Sequence, residues 1–319
     1  MLRRSLVVVA FAALIAGCNG GAASAPPFNT GTLVTASPTP TPVPQHLYAG
    51  KAITAATGQI LQYTLPITSA AQAANFTIAA AAGVSGTGLD ANGNLGVGMF
   101  NGQIAIYSAP LSGSSVPSAT FSLGIGPTPT GQLAFTNAGD LWAATQQNHV
   151  YAFTHPFNNA STSSGSISSG VTTAIGAAFD AAQNLYVSND DTHNNILVWA
   201  PPYTGAPTTA TSAQPSLGYG KIALGATQLF VTCPGGCAGS RVDVFALPIT
   251  NASTPAFAIT NGVNVPEALA VDTAGNLYVG NAGNSTVTVY APPFSAASAP
   301  TVTLAVAGGG GIFGLAIGK

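Results

Sequence analysis

At 319 residues the chain is long enough for one large domain or two small ones, yet only 4% of it is charged, against about 25% in ordinary soluble proteins. The formal charge is −2 and no stretch forms a basic or acidic tail, which removes the electrostatic footprint that nucleic-acid binding requires. With 47% hydrophobic residues, 38 Gly and 23 Pro, the composition predicts a well-filled core, many turns, and a surface polar through Ser, Thr, Asn and Gln.

The first element in chain order is "MLRRSLVVVAFAALIAGC", residues 1–18: two arginines, an apolar run, then small residues. Charge, length and flanks predict a signal peptide rather than a membrane span, which needs about 20 apolar residues. Its end, Ile15-Ala16-Gly17-Cys18, resembles a bacterial lipobox. In such a signal the cysteine is lipidated and becomes the mature N-terminus. The plainer reading is an ordinary secretory signal with a chance cysteine, but cysteine is otherwise scarce here. Asn19 follows, not the Asp of an inner-membrane retention signal, so the expected location is extracytoplasmic, lipid-anchored to the envelope, at the outer membrane if there is one. Loss of the signal removes Arg3 and Arg4 and takes the formal charge from −2 to −4. Residues 19–45 are rich in Pro, Thr and Ser and end in Thr-Pro alternation, which favours an extended tether.

From residue 46 onward the sequence repeats itself. An aromatic followed three residues later by Pro occurs at Tyr63, Tyr107, Phe153, Trp199, Phe245 and Tyr290, spaced 44, 46, 46, 46 and 45. A Leu opening a short apolar run occurs at Leu47, Leu95, Leu141, Leu185, Leu229 and Leu277, spaced 48, 46, 44, 44 and 48. Two independent markers thus give one period and a count of six, and a period near 45 residues is that of four-stranded propeller blades. The last full repeat shows the four strands as "EALAV", "NLYVG", "TVTVYA" and "PTVTLAV". The inner pair is apolar on both faces, as strands packed between neighbouring sheets must be. "DTAGN" joins that pair, with Gly275 able to supply the positive φ of a tight turn, and "DANGN" at Asp90 and "TNAGD" at Thr136 repeat it. The Pro after each aromatic lacks an N–H and ends the ladder. The first repeat opens at Leu47 on what should be a second strand, while residues 313–319, "FGLAIGK", read as a first strand with nothing after it. The expected fold is therefore all-β, a six-bladed β-propeller of four-stranded blades over residues 46–319, its first blade closed by the C-terminal strand.

The pattern "GLA…D…GNLYV.N…N..V.VY" resembles NHL-type propeller repeats and the related YVTN repeats, from about residue 47 to 319. The resemblance is specific for architecture and implies little about activity, because such propellers host many functions. An outer-membrane barrel needs strands of about 9–11 residues, longer than these runs, and a β-helix needs a shorter period.

In propellers of this kind the loops from second to third strand and the loops entering the first strand share one face, which usually carries the site. Alignment on the Asp272-type turn puts Ser85, Gly131, Ile175, Gly220, Glu267 and Phe313 at its channel mouth, and only Glu267 is ionisable. Lactonase-like propellers hold a metal with several converging carboxylate and amide groups, a ring not evident here. The richest loop, "SNDDTHNN" at residues 188–195, gathers Asn189, Asp190, Asp191 and His193, with His149 in the preceding repeat's equivalent loop. Asp190 and Asp191 suit a hard cation and His193 a softer one. The competing reading is a polar turn, since Asn and Asp tolerate left-handed backbone and bond their own main chain. Cys233 and Cys237 flank "PGG", which suits a hairpin disulfide in an oxidising compartment; a closed metal site would need two more ligands. No G-x-S-x-G, H-E-x-x-H or phosphate loop is present.

The expected function is accordingly a non-enzymatic, monomeric, envelope-anchored binding or scaffolding module for a protein or glycan, with no cofactor beyond a divalent cation in the 188–195 loop. The alternative is a metal-dependent propeller hydrolase or lyase.

Overall fold

The computed structural model describes residues 44–190, 194–211 and 218–319. The signal segment, Cys18, nearly all of the tether, Asp191 and His193 lie outside the described residues.

Six four-stranded antiparallel sheets form the molecule. Their first strands are Gly311–Gly318, Val84–Leu89, Leu133–Phe135, Ala174–Phe179, Ile222–Leu224 and Pro266–Val271, in blades 1 to 6. Each first strand packs against those of the two neighbouring blades, and the sixth returns to the first, so the ring is closed and the first strands are innermost. The protein is a six-bladed β-propeller.

Closure is made as the strand count predicts. In blade 1 the C-terminal strand Gly311–Gly318 pairs with His46–Thr54, Leu47 opposite Ile317 and Ala49 opposite Leu315. The other edge of His46–Thr54 pairs with Thr57–Thr64. Both ends of the propeller are thereby locked into one sheet, with His46–Thr54 paired on both of its edges.

The repeat markers have structural causes. The Asp272 carboxylate accepts the N–H groups of Ala274 and Asn276 (2.9 and 2.8 Å), and Asn276 Nδ2 donates to its second oxygen at 2.8 Å. That closes the first hairpin, with Gly275 at φ +84°. Asp90 with Gly93 at +83° builds the same turn, and Thr136 with Gly139 at +89° builds its mirror-written form. Blade 4 uses Gln183 at +64° where its siblings use Gly. The six aromatics that close the third strands are 2% exposed or less, and all six prolines after them follow cis peptide bonds.

Among the described residues no buried apolar cluster sits at the centre of the ring. The buried apolar residues fall into six clusters, each shared by two adjacent blades: Leu47, Tyr63 and Leu315 with Tyr278, Val287 and Leu304 fill the seam between blades 1 and 6, for example. Every sheet buries both faces, which is why the inner strands are apolar without alternation.

Candidate functional site

The second-to-third-strand loops interlock on one face with the loops entering the first strands, of the next blade in two cases and of the same blade in two others. Gly83 N donates to Ala55 O (3.0 Å), Gln146 N to Ala174 O (2.7 Å), Asp190 N to Thr173 O (2.8 Å) and Ala282 N to Val265 O (2.9 Å). Where first strands leave this face their ladders skip one residue: Ser85, Ile175, Glu267, and Phe313 in the C-terminal strand. A bulge turns two successive residues toward the same side. The positions read from sequence are therefore at the mouth, and the next residues along face the axis as well. Two of those, Gln132 and Lys221, are long polar side chains that the sequence alignment missed; reading both bulge positions instead of one finds them.

Gln132 spans the axis. Its Nε2 donates to Ile222 O at 2.8 Å and its Oε1 accepts Ile222 N–H at 2.9 Å, so one amide joins blade 3 to blade 5 past blade 4. Beside it Lys221, 3% exposed, sends Nζ to Ile175 O at 3.4 Å. Thr87 and Ser85 bury hydroxyls without a partner. The axial space among Gly86, Thr87, Gln132, Lys221 and Phe313 has a volume of about 0 Å³ for a water molecule. At this level the axis leaves no room for water between the side chains.

Lys221 and Glu267 sense each other without a contact ion pair; among the described residues the one such pair is Arg241–Asp243, at 2.8 Å. Burial pushes the Lys221 amine down to about 8, against a smaller upward pull from Glu267. Burial likewise raises the Glu267 carboxyl, and Lys221 partly offsets it. The unfolded amine titrates near 10.5, so between about pH 8 and 10.5 the unfolded chain holds the extra proton and stability rises with pH. Below pH 8 the full cost of a buried ammonium is present. Lys221→Met is expected to stabilise the protein at pH 7, by as much as about 3 kcal/mol, with the gain vanishing toward pH 10.5. Urea midpoints for both proteins across that range test it; a gain unchanged by pH would show that proton linkage is not its origin.

The other sequence candidates are placed as follows. Asn189 is fully buried, its Oδ1 taking the N–H groups of Thr172 (2.7 Å) and Thr173 (2.9 Å). Asn281, its counterpart in blade 6, takes Asn264 N–H at 2.9 Å in the same way. Asp190 Oδ1 accepts Gly218 N–H at 2.7 Å, and Asn194 Oδ1 accepts Tyr219 N–H at 3.3 Å. These side chains stitch the blade 4 loop to its neighbours. His149 meets Asn148 Oδ1 through Nδ1 at 2.8 Å and stacks on Tyr151 with centroids 5.4 Å apart. Among the described residues no three of His, Cys, Asp and Glu converge as a metal-binding group. Cys233 and Cys237 are joined as a disulfide, both sulfurs buried, at the start of the blade 5 loop.

No protein-family model matches the chain, and no curated protein matches it in sequence. Among solved structures, "Structure of U3-55K" superposes with a TM-score of 0.56 at 12% identity, over 84% of this chain and 85% of that one. At that identity the likeness speaks for the propeller fold alone.

Proposed function

We propose that the protein is a binding or scaffolding module whose working surface is the loop face, with a protein or glycan as its ligand, held at the cell envelope through lipid on Cys18. The Gln132 crossbar carries this reading. With the axial space filled, the described residues of the loop face offer surface rather than a deep pit, which suits recognition by surface. The amide- and hydroxyl-rich loops suit a neutral partner. The second reading, a hydrolase or lyase, draws on Glu267 and Lys221, whose oppositely displaced titrations at the mouth are the kind that acid–base sites show.

The purified protein, analysed for bound metal and then screened against glycans and envelope proteins, tests the choice. Saturable binding that is lost on changing Ile175 and Phe313 to Asp, with no bound metal, supports the module. Turnover that requires a divalent ion and disappears in Glu267→Gln supports the enzyme instead. For the anchor, Cys18→Ser is expected to abolish lipid labelling and release the protein; unchanged membrane retention would remove Cys18 from the proposal.

A further inference from the structure

The blades can be compared at the residue that follows the marker leucine of the second strand. That position holds Tyr48, Trp142, Tyr186, Phe230 and Tyr278 in five blades and Gly96 in blade 2. Each ring fills the seam toward the next blade on the hairpin face, opposite the loops just described. In blades 4 and 6 the phenol also donates to the turn aspartate: Tyr186 to Asp180 at 3.3 Å, Tyr278 to Asp272 at 3.0 Å. Blade 2 keeps the turn aspartate, Asp90, but Gly96 supplies neither ring nor hydroxyl. Phe135 of blade 3 leans onto Gly96, 2.9 Å from where a Cβ would stand, and beside it the seam holds a cavity of about 240 Å³; seams that carry the ring are hollow as well, by about 400 Å³ beside Tyr48 and about 590 Å³ beside Tyr186.

The walls of that cavity are specific. Phe157 stacks on Phe121 (5.8 Å, 24°) and meets His155 at 87° (5.6 Å) and Phe135 at 66° (6.4 Å), so the three rings that line the cavity, Phe135, His155 and Phe157, form one connected aromatic wall. Asp90, 9% exposed, forms the facing wall with Ser108 and Ser118. The Asp90 carboxylate takes hydrogen bonds from Asn92 N, Asn94 N and Asn94 Nδ2, all neutral donors that leave its charge in place. Lys319 lines an adjoining depression of about 450 Å³ that also borders Asp90 and Phe135, and makes no ion pair with Asp90. Aromatic rings and a carboxylate lining one cavity attract a compact organic cation, through ring quadrupoles and the opposite charge together. We infer that this seam is a binding site for a small alkylammonium group, separate from the loop face and independent of the function proposed for it.

Choline and its neutral isostere, with carbon in place of nitrogen, distinguish the two contributions. Titrated into the isotope-labelled full-length protein, choline is expected to shift the amides of residues 90–94, His155 and Phe157 and to bind at least about five-fold more tightly than the isostere. Phe157→Leu keeps the apolar volume and removes a ring; it should cost choline about five-fold and the isostere little. Asp90→Asn should narrow the gap between the two ligands to the part that the rings supply. If Asp90→Asn does not fold, Phe157→Leu and the isostere comparison decide. No amide shifts with choline, or equal affinity for both ligands in the unmutated protein, overturns the site.

Discussion

A chain ending at Phe313 is expected to lose the cooperative thermal transition of the full protein. Removing residues 314–319 takes away most of the strand that pairs with His46–Thr54, including Leu315 and Ala316, which are 5% and 6% exposed. The same strand packs on the first strands of blades 2 and 6, so two seams open along with the sheet. Each large apolar side chain returned to water costs about 1.5–3 kcal/mol. With its uncovered neighbours the loss exceeds about 5 kcal/mol, which is comparable to the whole stability of a typical domain. Differential scanning calorimetry measures this directly. A melting temperature equal to that of the full chain would mean that the closing strand is not what holds the ring.

Gly86→Val is expected to cost more than about 3 kcal/mol, beyond the usual range for overpacking. A Cβ at this position drives into the carbonyl oxygen of Gly131 and stands 3.1 Å from Gln132 Cα, both backbone atoms of blade 3. That backbone has little room to yield: Gly131 N is bonded to Ala144 O at 2.7 Å and Gln132 N to Ile175 O at 2.9 Å. The substitution therefore wedges two blades apart beside the crossbar. Gly165→Ala is the control, because nothing lies within 4 Å of its would-be Cβ and it should change stability by less than about 0.5 kcal/mol. Similar melting temperatures for the two variants would contradict the close approach of blades 2 and 3.

The architecture was legible because it is written six times. The spacing of the aromatic–Pro pairs reflects one turn made in every blade, and the strand at residues 313–319 announced closure because its partners stand at the other end of the repeat. The mouth was half legible. A ladder bulge sends two neighbouring residues inward, so a register that assigns one inward residue per blade finds Glu267 and passes over Lys221 and Gln132. The bond that Gln132 makes could not have been read in any case, since its partner Ile222 is 90 residues away and supplies only backbone. The loop at residues 188–195 shows a different limit. Composition reports that Asn and Asp are present, but not whether their oxygens face a ligand; Asn189 and Asp190 accept N–H groups of the chain itself.

The position of residues 46–54 also has a mechanical consequence. This strand begins the propeller, yet it is an interior strand of blade 1, hydrogen-bonded to Thr57–Thr64 on one edge and to Gly311–Gly318 on the other. Tension applied through the residues before it runs along the strand axis. The two ladders are then loaded in shear, many bonds at once, and cannot be unzipped one by one from a free end. Gln45 adds a first point of resistance, its carbonyl taking Leu65 N–H at 2.9 Å and its side chain taking Thr273 Oγ1–H at 2.8 Å in blade 6. A pull on the N-terminal side is thus shared between the two blades that flank the join, the one place where the covalent ring is interrupted.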